Sequence, residues 1–461
     1  MLSEQSTAGP LIMKDMFEDL PLRLSPVYET RTISAPIVLH EGPCALGHST
    51  SSLAGNASVS LEWLPYPRLA FRWFPSTQDH SLRIAPGPTG VEFPRLGARA
   101  EATVTSTPML FWAHETRPAE GRIDQLVFGR LDQCTRIRFH LPNFSFFLGE
   151  LVRNALGGAS SERAVLEYGG FRTILDRCIL RGDELENALP SDGGYAITHV
   201  GTVERVDGST FSYDDAEAML DCLGYFFSFC RAAWTVPILL CAEDATGRAA
   251  GQRWELKRID RYKRAMSWLP VSEPVSDHML RVFAGYAAAW FSPTWGGAIR
   301  TATELYVEAS TGDLEKSVII AQVAFELLAW TRLVQETAVI SPKAWNGKSM
   351  PFSGKLRRLL QSCSIPLSIP PTLNDLQAYC TLHKLADGAE GITNVRNALV
   401  HPSPTKRKRL HDSPGAAIQA WVLSLWYLDL LLLNVCAYKG RYSNRTIAGW
   451  RGNEIVTVPW S

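Results

Sequence analysis

The chain has 461 residues, in which 46 Lys plus Arg balance 46 Asp plus Glu and 46% of positions are hydrophobic. This composition fits a globular protein of about two or three units and excludes a disordered or collagen-like chain. A net charge of zero also excludes an all-over basic coat, so any grip on nucleic acid must come from a local patch.

The first twenty residues lack the basic and then apolar profile of a secretory leader. Nine cysteines are scattered with neither a CxxC pair nor a Cys/His cluster. Buried free thiols in a cytoplasmic protein are the expectation.

Up to about residue 210, short β segments at 57–64, 68–74, 98–106 and 125–131 are punctuated by Gly, Pro, Ser and Asn. Val59, Leu61 and Trp63 alternate with Ser60 and Glu62, and Leu69, Phe71 and Trp73 alternate with Ala70 and Arg72. Such alternation predicts sheets with one buried face, arranged as a sandwich or barrel. Trp63, Trp73 and Trp112 could stack on bases or sugars, although core packing is the favoured role.

Residues 195–206 alternate again, and 211–234 take the helical period. Ser212 followed by Asp215 predicts a cap on that helix. Strands at 236–243 and 252–259 complete an α/β segment over about 195–270.

The composition changes at Pro270 and Pro274, which places a boundary near 270. Residues 1–270 read as a β-rich sensor or regulatory region and 271–461 as an all-α domain, giving an α+β chain overall. Helices are predicted at 278–291, 300–309, 313–339, 353–362, 373–383, 391–400 and 415–438, with loops around 342–351 and 366–371. The segment 416–438 is long enough to cross a bilayer. Gln419, Asp429 and Asn434 interrupt it, and Asp near the centre of a span costs about 2.5–3.5 kcal/mol. It is expected to be a buried bundle or dimer helix, with no membrane involved.

Three motif fragments fail on spacing. Residues 346–349 lack the first glycine of a phosphate loop, 47–51 lack the closing glycine of a nucleophile elbow, and His114 with Glu115 lacks the second histidine of a zinc helix. Two constellations survive. In the first, Asp244 follows one strand while Glu255 and Lys257 share a face of the next, the residue types of a metal-dependent nuclease; an ordinary solvated hairpin is the competing reading.

The second is Arg396, Asn397 and His401, followed by Pro402. Ile392, Val395 and Leu399 recur at helical spacing and bury one face, which sends Arg396 and Asn397 elsewhere. In an unbroken helix Arg396 would lie about 140° from His401. Pro402 should unwind the helix at His401 and free its ring to turn toward Arg396, making a phosphate site. A salt bridge from Arg396, with Asn397 and His401 capping carbonyls, is the alternative.

The segment NVRNALVHP (394–402), preceded by AQVAFELLAW (321–330) and followed by the apolar stretch 415–438, resembles a HEPN domain (higher eukaryotes and prokaryotes nucleotide-binding). The layout of a β-rich region before it is similar to ApeA-type anti-phage proteins. The resemblance implies a helical bundle, a homodimer joined through C-terminal helices, and a metal-independent, cofactor-free endoribonuclease of anti-phage or abortive-infection defence. RNA, with tRNA among the candidates, would be the substrate, and a phage-derived trigger a further partner.

Arg396, Asn397 and His401 occupy the signature positions. Glu326 matches an acidic residue of the first core helix, and a structural acceptor role is equally open to it. Lys406, Arg407, Lys408 and Arg409 follow at once and could attract RNA without reading its sequence. A non-catalytic bundle that binds RNA, nucleotide or protein remains the alternative, as does the metal-dependent nuclease.

Overall fold

Alternation on one buried face closes the first strands into a barrel. In the computed structural model, which describes residues 17–47, 52–76, 84–106, 118–154, 158–178, 183–274, 276–347, 350–401, 403–447 and 452–461, β1 (Ile37–Leu46), β2 (Leu53–Glu62), β3 (Arg68–Pro75), β4 (Gly87–Phe93), β5 (Ala98–Ser106) and β6 (Ala119–Ile123) pair in the cyclic order β1-β2-β3-β6-β5-β4. Val59, Leu61, Trp63, Leu69, Phe71 and Trp73 fill its core. Trp63 and Trp73 are therefore packing residues, and Trp73 Nε1 donates to the Cys44 carbonyl at 3.3 Å. Trp112, His114, Glu115, Pro402 and residues 48–51 and 348–349 lie outside the described residues, and of Arg407 the backbone alone is described.

The second layer is an eight-stranded sheet. It comprises β7 (Gln125–Gly129), β8 (Arg136–Pro142), β9 (Glu150–Arg153), β10 (Ala159–Tyr168), β11 (Phe171–Arg177), β12 (Ile197–Arg205), β13 (Ile238–Glu243) and β14 (Ala249–Glu255), in the order β7-β14-β13-β8-β12-β11-β10-β9. Helix α1 (Asp183–Asp192) precedes β12 and helix α2 (Tyr213–Arg231) follows it. β12 and β13 both pair antiparallel with β8, so they run parallel to each other with α2 as their crossover, a split β-α-β unit. The α/β segment expected over 195–270 is present as this unit, and its strands belong to the one large antiparallel sheet. At the start of α2 the expected cap is present: the Asp215 N–H donates to Ser212 Oγ at 3.2 Å, and the Ser212 N–H donates to Asp215 Oδ2 at 2.8 Å.

The remainder is helical: α3 (Ser276–Trp290), α4 (Gly296–Thr311), α5 (Leu314–Trp330), α6 (Pro342–Trp345), α7 (Phe352–Ser362), α8 (Asn374–Leu382), α9 (Gly388–Val400), α10 (Pro404–His411) and α11 (Pro414–Val435). A π-helical turn over Thr331–Glu336 extends α5. A small hairpin of β15 (Arg441–Ser443) and β16 (Ile455–Thr457) means that this half is not purely helical.

The sequence reading misses α6 and α10. Each opens on a Ser-Pro pair whose serine oxygen caps the first turn, Ser341 accepting from Ala344 N and Ser403 from Lys406 N.

Residues 423–433 of α11 are buried throughout. That stretch is the central helix of this chain's own bundle, and it is not available as a dimer surface. Leu314–Glu336 and Pro414–Val435 have the length and apolarity of membrane spans, but here the apolar faces pack inside the chain.

No gap separates the two halves. Phe226 of α2 meets Phe283 and Tyr286 of α3 at ring distances of 5.0 and 5.5 Å, and Phe229 meets Tyr306 of α4 at 5.4 Å. Tyr225 Oη donates to Glu304 at 2.6 Å. The composition shift near 270 marks a change of secondary structure inside one continuous hydrophobic core.

Candidate functional site

Helix α9 carries the surviving motif and is firmly seated. Asp387 caps it by accepting from Glu390 N at 3.0 Å, and Arg357 of α7 pairs with Asp387 at 2.6 Å and Glu390 at 2.9 Å. Ala389, Ile392, Val395 and Ala398 form the buried face, with Leu399 half-buried beside it. Arg396 and Asn397 are half-buried on the flank. Arg396 Nη1 donates to Asn397 Oδ1 at 3.2 Å, while Arg396 Nε is buried with no partner.

The helix ends where the sequence predicts. His401 has φ −119° and ψ 70°, outside the helical region, although its N–H still donates to the Asn397 carbonyl at 3.0 Å. Its side chain is exposed. Among the described residues no hydrogen bond joins the His401 ring to Arg396, whose Nη1 donates to the neighbouring Asn397 amide oxygen.

Glu326 sits on α5, which packs against α9. It is exposed and accepts from Gln322 Nε2 at 3.1 Å. Among the described residues no hydrogen bond or ion pair joins it to Arg396 or His401.

Lys406, Lys408 and Arg409 lie on α10, a short helix rather than a solvated loop. The cations in its last turn complement the negative end of its dipole. Lys408 and Arg409 are exposed and Lys406 is half-exposed.

A histidine that the sequence reading does not single out also stands near this region. His383, at the end of α8, has its ring 4.5 Å from Tyr379, whose hydroxyl donates to Asn394 of α9 at 2.7 Å. Burial lowers the His383 pKa from its ordinary value, and the charge of Arg409 lowers it further. His383 Nε2 is buried without a partner. The spacing of Tyr379 and His383, one helical turn apart, is the signal that could have marked them.

Asp244, Glu255 and Lys257 are not brought together. Asp244 closes the β13–β14 turn, accepting from Thr246 N at 2.8 Å and Arg248 N at 3.1 Å. Glu255 lies beyond the Leu240–Arg253 pair at the other end of the hairpin and accepts from Arg253 at 2.9 Å. Lys257 pairs with Asp221 of α2. The strand register therefore overturns the metal-nuclease reading.

A six-stranded barrel, an eight-stranded antiparallel sheet and a helical bundle define a mixed α+β protein. Residues 129–265 match the YopA central domain, and residues 292–456 match the YopA C-terminal domain. Over 334 residues the chain is 30% identical to the SPbeta prophage-derived protein YopA of Bacillus subtilis (strain 168), an alignment that covers 71% of this chain and 72% of that one. The chain belongs to the YopA family. No solved structure matches it.

Proposed function

We propose that the protein is a metal-independent, HEPN-type endoribonuclease of the cytoplasm, active in anti-phage or abortive-infection defence. It cuts RNA by attack of the 2′-hydroxyl and leaves a 2′,3′-cyclic phosphate. One observation carries this reading. A guanidinium with a buried, unpartnered Nε lies within the last two turns of a helix whose end presents an exposed histidine, and a cationic helix follows directly.

The RNA supplies its own nucleophile, so the protein must supply a base, an acid and positive charge for the transition state. Arg396 offers a planar fork for two phosphate oxygens. Asn397 holds that fork in position. His401 moves the proton at the 2′-oxygen or the departing 5′-oxygen. Because a single imidazole cannot readily do both at once, a second copy of the chain completes the cleft. With residues 423–433 buried, the contact falls to the exposed surface around the end of α9. The prophage origin of the Bacillus relative fits a gene traded in competition between phages, with a phage component as trigger.

The test is cleavage of total cellular RNA, possible triggers supplied, by wild type and by His401→Ala with EDTA present throughout. His401 is exposed, so its removal leaves the fold intact. Cutting that resists EDTA, leaves cyclic phosphate ends and disappears in the variant is the expected result. Equal behaviour of the two proteins would sink the reading in favour of a non-catalytic binding bundle.

A further inference from the structure

A second feature lies at the junction of the two halves and does not rest on the ribonuclease reading. After β14 the chain runs through residues 258–266, and this segment is fixed from behind. Asn143 Nδ2 donates to the Asp260 carbonyl at 2.9 Å, the Trp234 N–H donates to Asp260 Oδ2 at 3.0 Å, and buried Arg231 donates to the Lys263 carbonyl and stacks on Tyr262 at 4.6 Å. Facing the segment are the end of α4 and residues 421–425 of α11. Between them lies a cavity of about 540 Å³, within the size range of small-molecule sites.

The lining combines two chemistries. Arg258, Arg261, Lys263, Arg264 and Arg445 supply cations, while Trp421 and its neighbours on α11 supply an apolar wall. Some of this charge is already matched, since Arg258 pairs with Glu308 and Arg445 with Asp429. The side chains of Lys263 and Arg264 are exposed and make no hydrogen bond or ion pair among the described residues, and Arg261 donates to the Asp192 carbonyl. Asp260 is the remaining carboxylate of the wall.

No hydrogen bond from these cations to the end of α4 is present among the described residues, apart from the Arg258–Glu308 side-chain pair. The Ser310 and Thr311 hydroxyls donate back to the Tyr306 and Val307 carbonyls, the Gly312 N–H donates to the Glu308 carbonyl, and the Ala309 carbonyl is taken by Trp421. The Trp421 ring is anchored through Nε1 on the Ala309 carbonyl at 2.8 Å, so its position in the wall is set.

We propose that this cavity binds a nucleotide, with phosphates on Arg261, Lys263 and Arg264 and the base against Trp421. Arg and Lys heads favour phosphate oxygens, and an indole offers a planar surface for a base. A bare phosphate would leave the apolar wall wet. Because the walls come from both halves, an occupied cavity favours the arrangement in which those halves are docked.

The full chain should be titrated with methylanthraniloyl-labelled ADP and followed by fluorescence anisotropy. Saturable binding, displaced by unlabelled ADP and poorly by pyrophosphate, is expected. The double variant Lys263→Glu/Arg264→Glu changes two exposed side chains and should weaken binding about tenfold or more. Lys316→Glu, a control on exposed α5 surface, should leave it unchanged. Absence of saturable binding, displacement by pyrophosphate as effective as by ADP, or a double variant that binds like wild type would each overturn the proposal.

Discussion

Arg445, in the segment after β15, reaches Asp429 in the middle of α11 and grips it with both arms, Nε to Oδ2 at 2.6 Å and Nη2 to Oδ1 at 2.9 Å. Tyr306 Oη donates to the same carboxylate at 2.7 Å. The acidic residue that interrupts an otherwise apolar helix is thus one half of a buried ion pair. Removing one partner strands the other charge away from water, so Asp429→Ala should lose about 3–5 kcal/mol of stability. Tyr306→Phe should lose about 1 kcal/mol. Replacing the pair together, by Asp429→Leu with Arg445→Met, should recover most of the loss. Urea unfolding of the four proteins checks this, and a double variant no more stable than Asp429→Ala alone would refute it.

His140 gives the fold an acid limit. Its Nε2 accepts from the Val27 and Tyr28 amides, both at 3.0 Å, so Nδ1, 3.1 Å from the Leu239 carbonyl, is assigned the proton. Burial pushes its pKa down to about 4, with the Arg138 charge acting in the same direction. An unfolded histidine titrates near 6.5, so between roughly pH 6.5 and 4 the unfolded state binds the extra proton. The contribution of His140 is therefore complete above about pH 6.5 and falls away toward pH 4, a change on the order of 3 kcal/mol. His199, pushed down to about 3 by burial and the Arg177 charge, adds to the same slope. Urea midpoints between pH 7.5 and 4.5 should fall less steeply in His140→Gln than in wild type. Protection factors for amide exchange at Val27 and Tyr28, corrected for the intrinsic rate at each pH, should fall over the same interval.

Gly285 marks the tightest contact of α3 with the end of α11. A Cβ there would sit 1.9 Å from the Cys436 carbonyl oxygen, a backbone atom that cannot swing aside. Gly285→Ala should destabilise by about 1–3 kcal/mol. Gly297 of α4 has open space where its Cβ would lie, so Gly297→Ala should be neutral or stabilising by up to about 1 kcal/mol. Thermal midpoints that move the two variants the same way would contradict this packing.

If α10 guides RNA, Lys406→Ala with Lys408→Ala should weaken binding to unrelated RNA sequences about equally. The slope of log affinity against log salt should fall by about 1 for each phosphate contact removed. Filter binding at three salt concentrations measures this, and an unchanged slope would remove α10 from the RNA path.

What the sequence made legible was local. The Val59–Leu61–Trp63 alternation announces a barrel strand because a period of two on one buried face belongs to strands, and the Ser212–Asp215 cap is visible because its partners lie three residues apart. β10 and β11 stay hidden for the opposite reason. Each carries a buried charge, Arg163 paired to Asp176 at 2.6 Å, which breaks the apolar alternation. In α10 the cationic run masks a helix that Ser403 and Pro404 start. The order Arg396, Asn397, His401 could be read directly, and so could the helix end at His401. The amide grip on Arg396 and the Tyr379–Asn394 link beside His383 depend on packing between side chains and on α8 against α9, which no spacing encodes.

The interlocked rings of Phe226, Phe229, Phe283, Tyr286 and Tyr306 bear on how a message could cross the molecule. A tethered sensor swings freely on its linker and signals by arriving or leaving. Here the sheet-borne helix and the bundle are geared tooth into tooth, so a displacement of one is felt as strain in the other. A shift of the sheet would reach the bundle through these rings as through a lever rather than a leash.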